Sequence, residues 1–132
     1  MNGSICISEA TSLALHSMVL IAEKDEGYAS AKEIVKYFPA SQNHLAKILQ
    51  RLSKAGLINA LRGPSGGYTL AKNKTDISLL DVYEAVEGPF RTGACPLGRE
   101  VCPFKSCIFS GILTKANSDV KEYLRNKKLS EV

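Results

Sequence analysis

The sequence predicts a mostly α fold carrying one small β-hairpin and ending in a long helix. Three observations carry this prediction. Apolar residues recur at helical spacing in five separate segments. Two capping-box patterns, Ser30-Ala31-Lys32-Glu33 and Ser78-Leu79-Leu80-Asp81, mark helix starts. One glycine-rich turn, Arg62-Gly63-Pro64-Ser65-Gly66-Gly67, separates two short extended pieces.

The first helix runs from about Ser8 to Lys24, with Ala10, Leu13, Ala14, Met18, Ile21 and Ala22 at helical spacing and Gly27 as its breaker. The Ser30 capping box opens a short second helix that buries Ile34, Val35 and Phe38 and stops at Pro39. A third helix starts near Ser41 and reaches Ala55. Leu45, Ile48, Leu49 and Leu52 form its apolar stripe, and Gly56 fits the left-handed position past its end. Leu57–Leu61 and Tyr68–Leu70 then read as a hairpin. The Ser78 box opens a fourth helix ending at Gly88-Pro89. A final helix begins near Ile108, with Ile112, Leu113, Ala116, Val120 and Leu124 on one face and a frayed charged tail from Arg125 onward.

Helix, short helix, turn, helix and hairpin is the order of a winged helix-turn-helix. The expected organisation is residues 1–88 as that domain, 89–107 as a cysteine-rich sensor loop, and 108–132 as a dimerisation helix and tail. At 132 residues the chain is about one domain's worth of material, and its hydrophobic fraction of 45% suits a packed core. No apolar run is long enough to cross a bilayer, and the N-terminus is a poor signal peptide, so a cytoplasmic location is expected.

The net charge of +4 is unevenly spread. Between Ile34 and Thr75 stand Lys36, Lys47, Arg51, Lys54, Arg62, Lys72 and Lys74, with no Asp or Glu. Such a stretch suits phosphate binding, because each cation placed on a phosphate releases counterions. A merely solvated basic surface is the plainer alternative. The helix and hairpin argue for DNA: Ser41, Gln42, Asn43 and His44 are candidates for the major groove. Lys47, Arg51 and Lys54 are candidates for groove or phosphate contacts. Arg62, with Gly63 and Ser65 in the wing, is the candidate for the minor groove.

Cys95, Cys102 and Cys107 fall within thirteen residues of a loop rich in glycine and proline. Thiols so spaced in a reducing compartment point to metal or redox chemistry, and soft thiolates select iron–sulfur clusters or zinc. Three cysteines leave zinc one ligand short of its usual closed set. A thiol–disulfide switch and three thiols buried as small apolar groups complete the alternatives.

The run Leu45-x-x-Ile48-Leu49-x-x-Leu52-x-x-Ala55-Gly56-Leu57 with the wing Arg62-Gly63-Pro64-Ser65-Gly66-Gly67-Tyr68 closely resembles the IscR/NsrR type of bacterial regulator, the Rrf-two family. The resemblance continues through Leu13-Ala14-Leu15, Asp81-Val82, Ala85-Val86-Glu87-Gly88 and the cysteine loop. It implies a dimeric transcriptional regulator, many members being repressors, bound as a homodimer to double-stranded DNA at a pseudo-palindromic operator. It also implies that Cys95, Cys102 and Cys107 hold a [2Fe-2S] or [4Fe-4S] iron–sulfur cluster. Family members usually space these cysteines evenly, and here the middle one is shifted by one residue. Some relatives take a fourth ligand from a histidine where this chain has Ser110. Others take a first-helix carboxylate of the partner subunit, where this chain has Ser12. Cys6 and Glu9 are the nearby substitutes.

Two rivals stand beside this reading: a regulator with a zinc or thiol sensor, and a winged-helix module that binds protein. An enzyme fits poorly. No acid–base or nucleophile set accompanies the thiols, and Gly63–Gly67 joins two strands, whereas a phosphate loop opens a helix.

Overall fold

The computed structural model describes residues 7–93 and 95–132. Cys6, a suggested fourth ligand, lies outside the described residues. Ser8 opens helix α1 (Glu9–Glu23), its hydroxyl accepting the Thr11 N–H at 3.1 Å. Leu13, Ala14, Met18 and Ile21 bury one side of α1. Leu15, Val19 and Leu20 leave the other side apolar and only half covered. Gly27, at φ +76°, then turns the chain into a two-residue strand β1 (Tyr28–Ala29).

Both capping boxes form. Ser30 and Glu33 exchange bonds at 3.2 and 2.9 Å to start α2 (Ala31–Tyr37). Ser78 and Asp81 do the same, at 3.1 and 2.9 Å, to start α4 (Leu79–Glu87). Helix α3 (Gln42–Lys54) buries Leu45, Ile48, Leu49 and Leu52 against α1, α2 and α4. It ends in a Schellman motif: Gly56, at φ +76°, sends its N–H to Ser53 O, and Leu57 sends its own to Leu52 O. Strands β2 (Ile58–Leu61) and β3 (Gly67–Leu70) pair antiparallel from Ile58↔Leu70 to Leu61↔Gly67.

Of the three residues expected to be buried by α2 only Ile34 is, Val35 and Phe38 being half-buried. Three larger features also differ from the sequence expectation. The hairpin belongs to a three-stranded sheet in the order β1-β3-β2, with Ala29 opposite Tyr68. A two-residue strand has no alternation to read, and its identity comes from its partner. Helix α5 (Ile112–Asn126) starts later than Ile108, because Ser110 at φ 49° and Gly111 at φ 79° are left-handed and cannot continue a right-handed helix backward.

The third difference is the tail, which is packed and not frayed. Lys128 bridges Ser78, and the Leu129 N–H donates to Ile77 O at 2.9 Å. Leu129, in a 3-10 turn over Leu129–Glu131, is 2% exposed within the main core. Flanking charges hid this single apolar anchor from a compositional reading.

A second, smaller core of Leu80, Tyr83, Phe90 and Leu124 joins α4 to the C-terminal half of α5. The first turn of α5 is largely exposed, with Ile112 at 58%, and burial on this helix begins at Asn117. No helix among the described residues is long and apolar enough to cross a membrane.

Candidate nucleic-acid interface and cysteine loop

Burial of the leucine stripe fixes which face of α3 meets solvent. Ser41, Gln42, Asn43, Lys47, Arg51 and Lys54 are exposed, and His44 is half-buried. The Ser41 hydroxyl accepts the His44 N–H at 3.1 Å, so Ser41 caps the helix as well as standing at its exposed start. Arg51 differs from its neighbours: its Nη1 donates to Val86 O of α4 at 3.2 Å.

Arg62, Gly63, Pro64 and Ser65 are all exposed at the wing tip. The glycines serve the hairpin itself. Gly63 sits at φ +109°, and a Cβ on Gly66 would lie 2.6 Å from Leu61 O. A Cβ on Gly67 would lie 2.8 Å from Ala29 O and 3.0 Å from the Tyr28 ring. Gly67→Ala is therefore expected to force β1 and β3 apart and destabilise the chain by about 1–3 kcal/mol. Urea unfolding checks this, and an unchanged midpoint would show that the strands yield freely.

A groove of about 390 Å³ runs between the wing and the start of α2, lined by Lys32, Leu61, Gly63, Pro64 and Tyr68 among others. Sequence reasoning missed Lys32, because Glu33 separates it from the acid-free stretch.

Beyond α4 the chain is pinned twice. The Phe90 N–H donates to Glu84 Oε1 at 3.0 Å, and its ring lies 4.9 Å from that of Tyr83. Asn117 on α5 is 1% exposed, and its side-chain amide donates to Gly93 O at 3.1 Å. No sequence pattern marks Glu84 or Asn117, since both act on backbone groups.

Past Gly93 the loop stands out from the body, with Leu97 82% and Ile108 80% exposed. Cys95, Cys102 and Cys107 all line one strongly apolar cavity of about 460 Å³, together with Phe104, Ile108 and Phe109. Backbone N–H groups of Arg99, Leu97 and Gly98, helped by the Arg99 charge, hold the Cys95 thiol below its usual range. Among the described residues no three Cys, His, Asp or Glu side chains meet closely enough to hold one metal ion. Glu9 lies on α1 in a separate groove with Ser12 and His16, away from the three cysteines. The chemistry of the three soft thiols and their apolar surround suits an iron–sulfur group, and one further ligand would complete its usual set of four.

Three packed helices, a polar exposed third helix and an adjoining wing define a winged-helix DNA-binding protein. Residues 7–132 match the Rrf2 family, described as an iron-dependent transcriptional regulator. The chain is 30% identical over 128 residues to Protein aau3 of Rhizobium meliloti (strain 1021), covering 96% of this chain and 83% of that one. The fold is similar to that of CymR (YrzC), the global cysteine regulator of B. subtilis. That likeness has a TM-score of 0.78 and 26% identity, over 96% of this chain and 95% of the other. It is also similar to T. potens IscR, with a TM-score of 0.74 and 25% identity, over 96% and 85%.

The chain belongs to the Rrf2 family. It is a transcriptional regulator and not an enzyme. The winged helix expected from the sequence is the fold observed.

Proposed function

We propose that the protein is a cytoplasmic, sequence-specific repressor whose operator binding answers to an iron–sulfur cluster or to redox or nitric oxide state. The observation that carries the DNA half is the exposed, acid-free face of α3 beside the wing. Ser41, Gln42, Asn43 and His44 would read base edges in the major groove, with Lys47 and Lys54 on groove or phosphates. Arg62 would enter the minor groove while Gly63 and Ser65 bring the wing backbone close. Residues 1–88 then form the reading head, 89–107 the sensor, and 108–132 the dimerisation helix and tail.

Two apolar surfaces support a homodimer: the outer side of α1 and the bare start of α5 with its preceding loop. Burying both in a symmetric pair would set two α3 helices on a pseudo-palindromic operator, with half-sites roughly 34 Å apart. Cys95, Cys102 and Cys107 would hold the cluster through thiolate. When bound, the cluster supplies a redox- and assembly-dependent charge and shape at the loop. The chain's own residues carry that state onward, through the Gly93–Asn117 contact to α5 and the Phe90–Glu84 contact to α4.

The likeness to CymR, named for cysteine regulation, and the depressed Cys95 thiol favour one second reading, a thiol–disulfide sensor on the same DNA-binding frame.

Fluorescence anisotropy with a duplex selected by the wild-type protein from a random-sequence pool tests the DNA half. Arg62→Ala is expected to weaken binding about tenfold, about 1.4 kcal/mol. Undiminished binding would remove the wing from the interface. A wild-type protein that selects no sequence would leave the winged helix as a protein-binding module.

A further inference from the structure

One cation on α3 is engaged by a neighbouring helix. Arg51 Nη1 donates to Val86 O at 3.2 Å. The Ser8 and Thr11 hydroxyls hold the neighbouring Glu87 carboxyl below its usual range, with a smaller contribution from the Arg51 charge. Val86 O is among the last carbonyls of α4, which lack intrahelical partners and carry partial negative charge. A guanidinium is favoured there. Glu87 is held in turn from the far side, accepting from the hydroxyls of Ser8 and Thr11 at the start of α1. No ion pair among the described residues holds Lys47 or Lys54, so the three cations of this helix differ in what anchors them.

We propose that Arg51 is a positioning residue, which fixes the angle of α3 against the C-terminal end of α4 and makes no contact with DNA. The end of α4 is also where the cysteine loop attaches. Gly88 and Pro89 lead directly to Phe90, whose N–H is tied back to Glu84 on α4. A displacement of the loop stem thus reaches α3 through Arg51. The inference rests on α3 being the DNA-reading helix, and the experiment separates the two.

The duplex selected by the wild-type protein is titrated across a salt series with wild type, Arg51→Ala and Lys47→Ala. A phosphate contact contributes about 0.9 to the slope of log K against log salt. Lys47→Ala is expected to lose about that much. Arg51→Ala is expected to bind about tenfold more weakly with the wild-type slope, and to lose affinity evenly across single base-pair changes in the duplex.

A slope reduced by about 0.9 in Arg51→Ala would make it a phosphate contact and overturn the proposal. Relaxed preference at one base pair would make it a base contact, and unchanged affinity would leave it without a role. Either result also overturns it. A wild-type protein that selects no sequence, or a Lys47→Ala variant with the full slope, would instead strike at the assignment of α3 as reader.

Discussion

Cys95→Ala is expected to lose iron and sulfide together, while wild type purified without oxygen and reconstituted carries both in matched amounts and absorbs in the visible. Cys95 is the cysteine whose thiol is held below its usual range, chiefly by the backbone N–H groups of Arg99 and Leu97. The substitution removes one of the three proposed ligands, at the start of the loop that lines the cavity. Operator binding by the cluster-free variant should persist in some form, because no residue of the α3 face or the wing touches that cavity. Its response to iron supply, nitric oxide or oxidant should vanish, and Cys102→Ala should behave alike. A wild-type protein that stays colourless after reconstitution, with no iron or sulfide, would move the sensor to a thiol pair or zinc. A zinc assay and thiol titration then divide those two.

Leu129→Ala is expected to destabilise the chain by about 2–5 kcal/mol, the range for emptying a buried leucine site. The side chain fills a core position shared with α1 and Ile77, and its own N–H closes a bond to Ile77 O. The variant loses packing and leaves a cavity close to the start of α4. Urea unfolding of wild type and Leu129→Ala reads the difference directly. A change below about 0.5 kcal/mol, the usual size for a surface position, would mean that the tail frays in solution as its composition suggests.

Local chemistry explains what could be read from the residues alone. The capping boxes at Ser30 and Ser78 announce themselves because both partners lie within one turn. Gly56 marks a helix end because its backbone angle is costly for other residues. The leucine stripe of α3 gives its buried face, and with it the exposed one. Periodicity does not say which flank of the exposed face meets a neighbouring helix, so Arg51 looked like its companions.

Residues that act through distant backbone carbonyls were silent for the same reason. Nothing around Asn117 distinguishes it from a solvated polar residue until Gly93 is brought beside it. The cysteine spacing named candidate ligands, and the loop's protrusion on a pinned stem belongs to tertiary structure.

The docked tail has a mechanical consequence for α5. Leu124 and the strand-like bond of Lys128 to Ser78 clamp that helix near its C-terminal end, while its first turn is free of the body. With a rise of about 1.5 Å per residue, Ile112 stands roughly 18 Å from Leu124 along the axis. The helix acts as a lever that pivots near its C-terminal end, is tied at Asn117 to the loop stem at Gly93, and meets the cysteine loop at its start. A tilt of roughly 10° swings the loop end by roughly 3 Å, between the shifts of about 1–2 Å and the one-turn steps of about 5.4 Å by which helices switch at interfaces. In the proposed dimer each lever would press on its mate, and small changes in loop shape would become changes in the separation of the two reading heads.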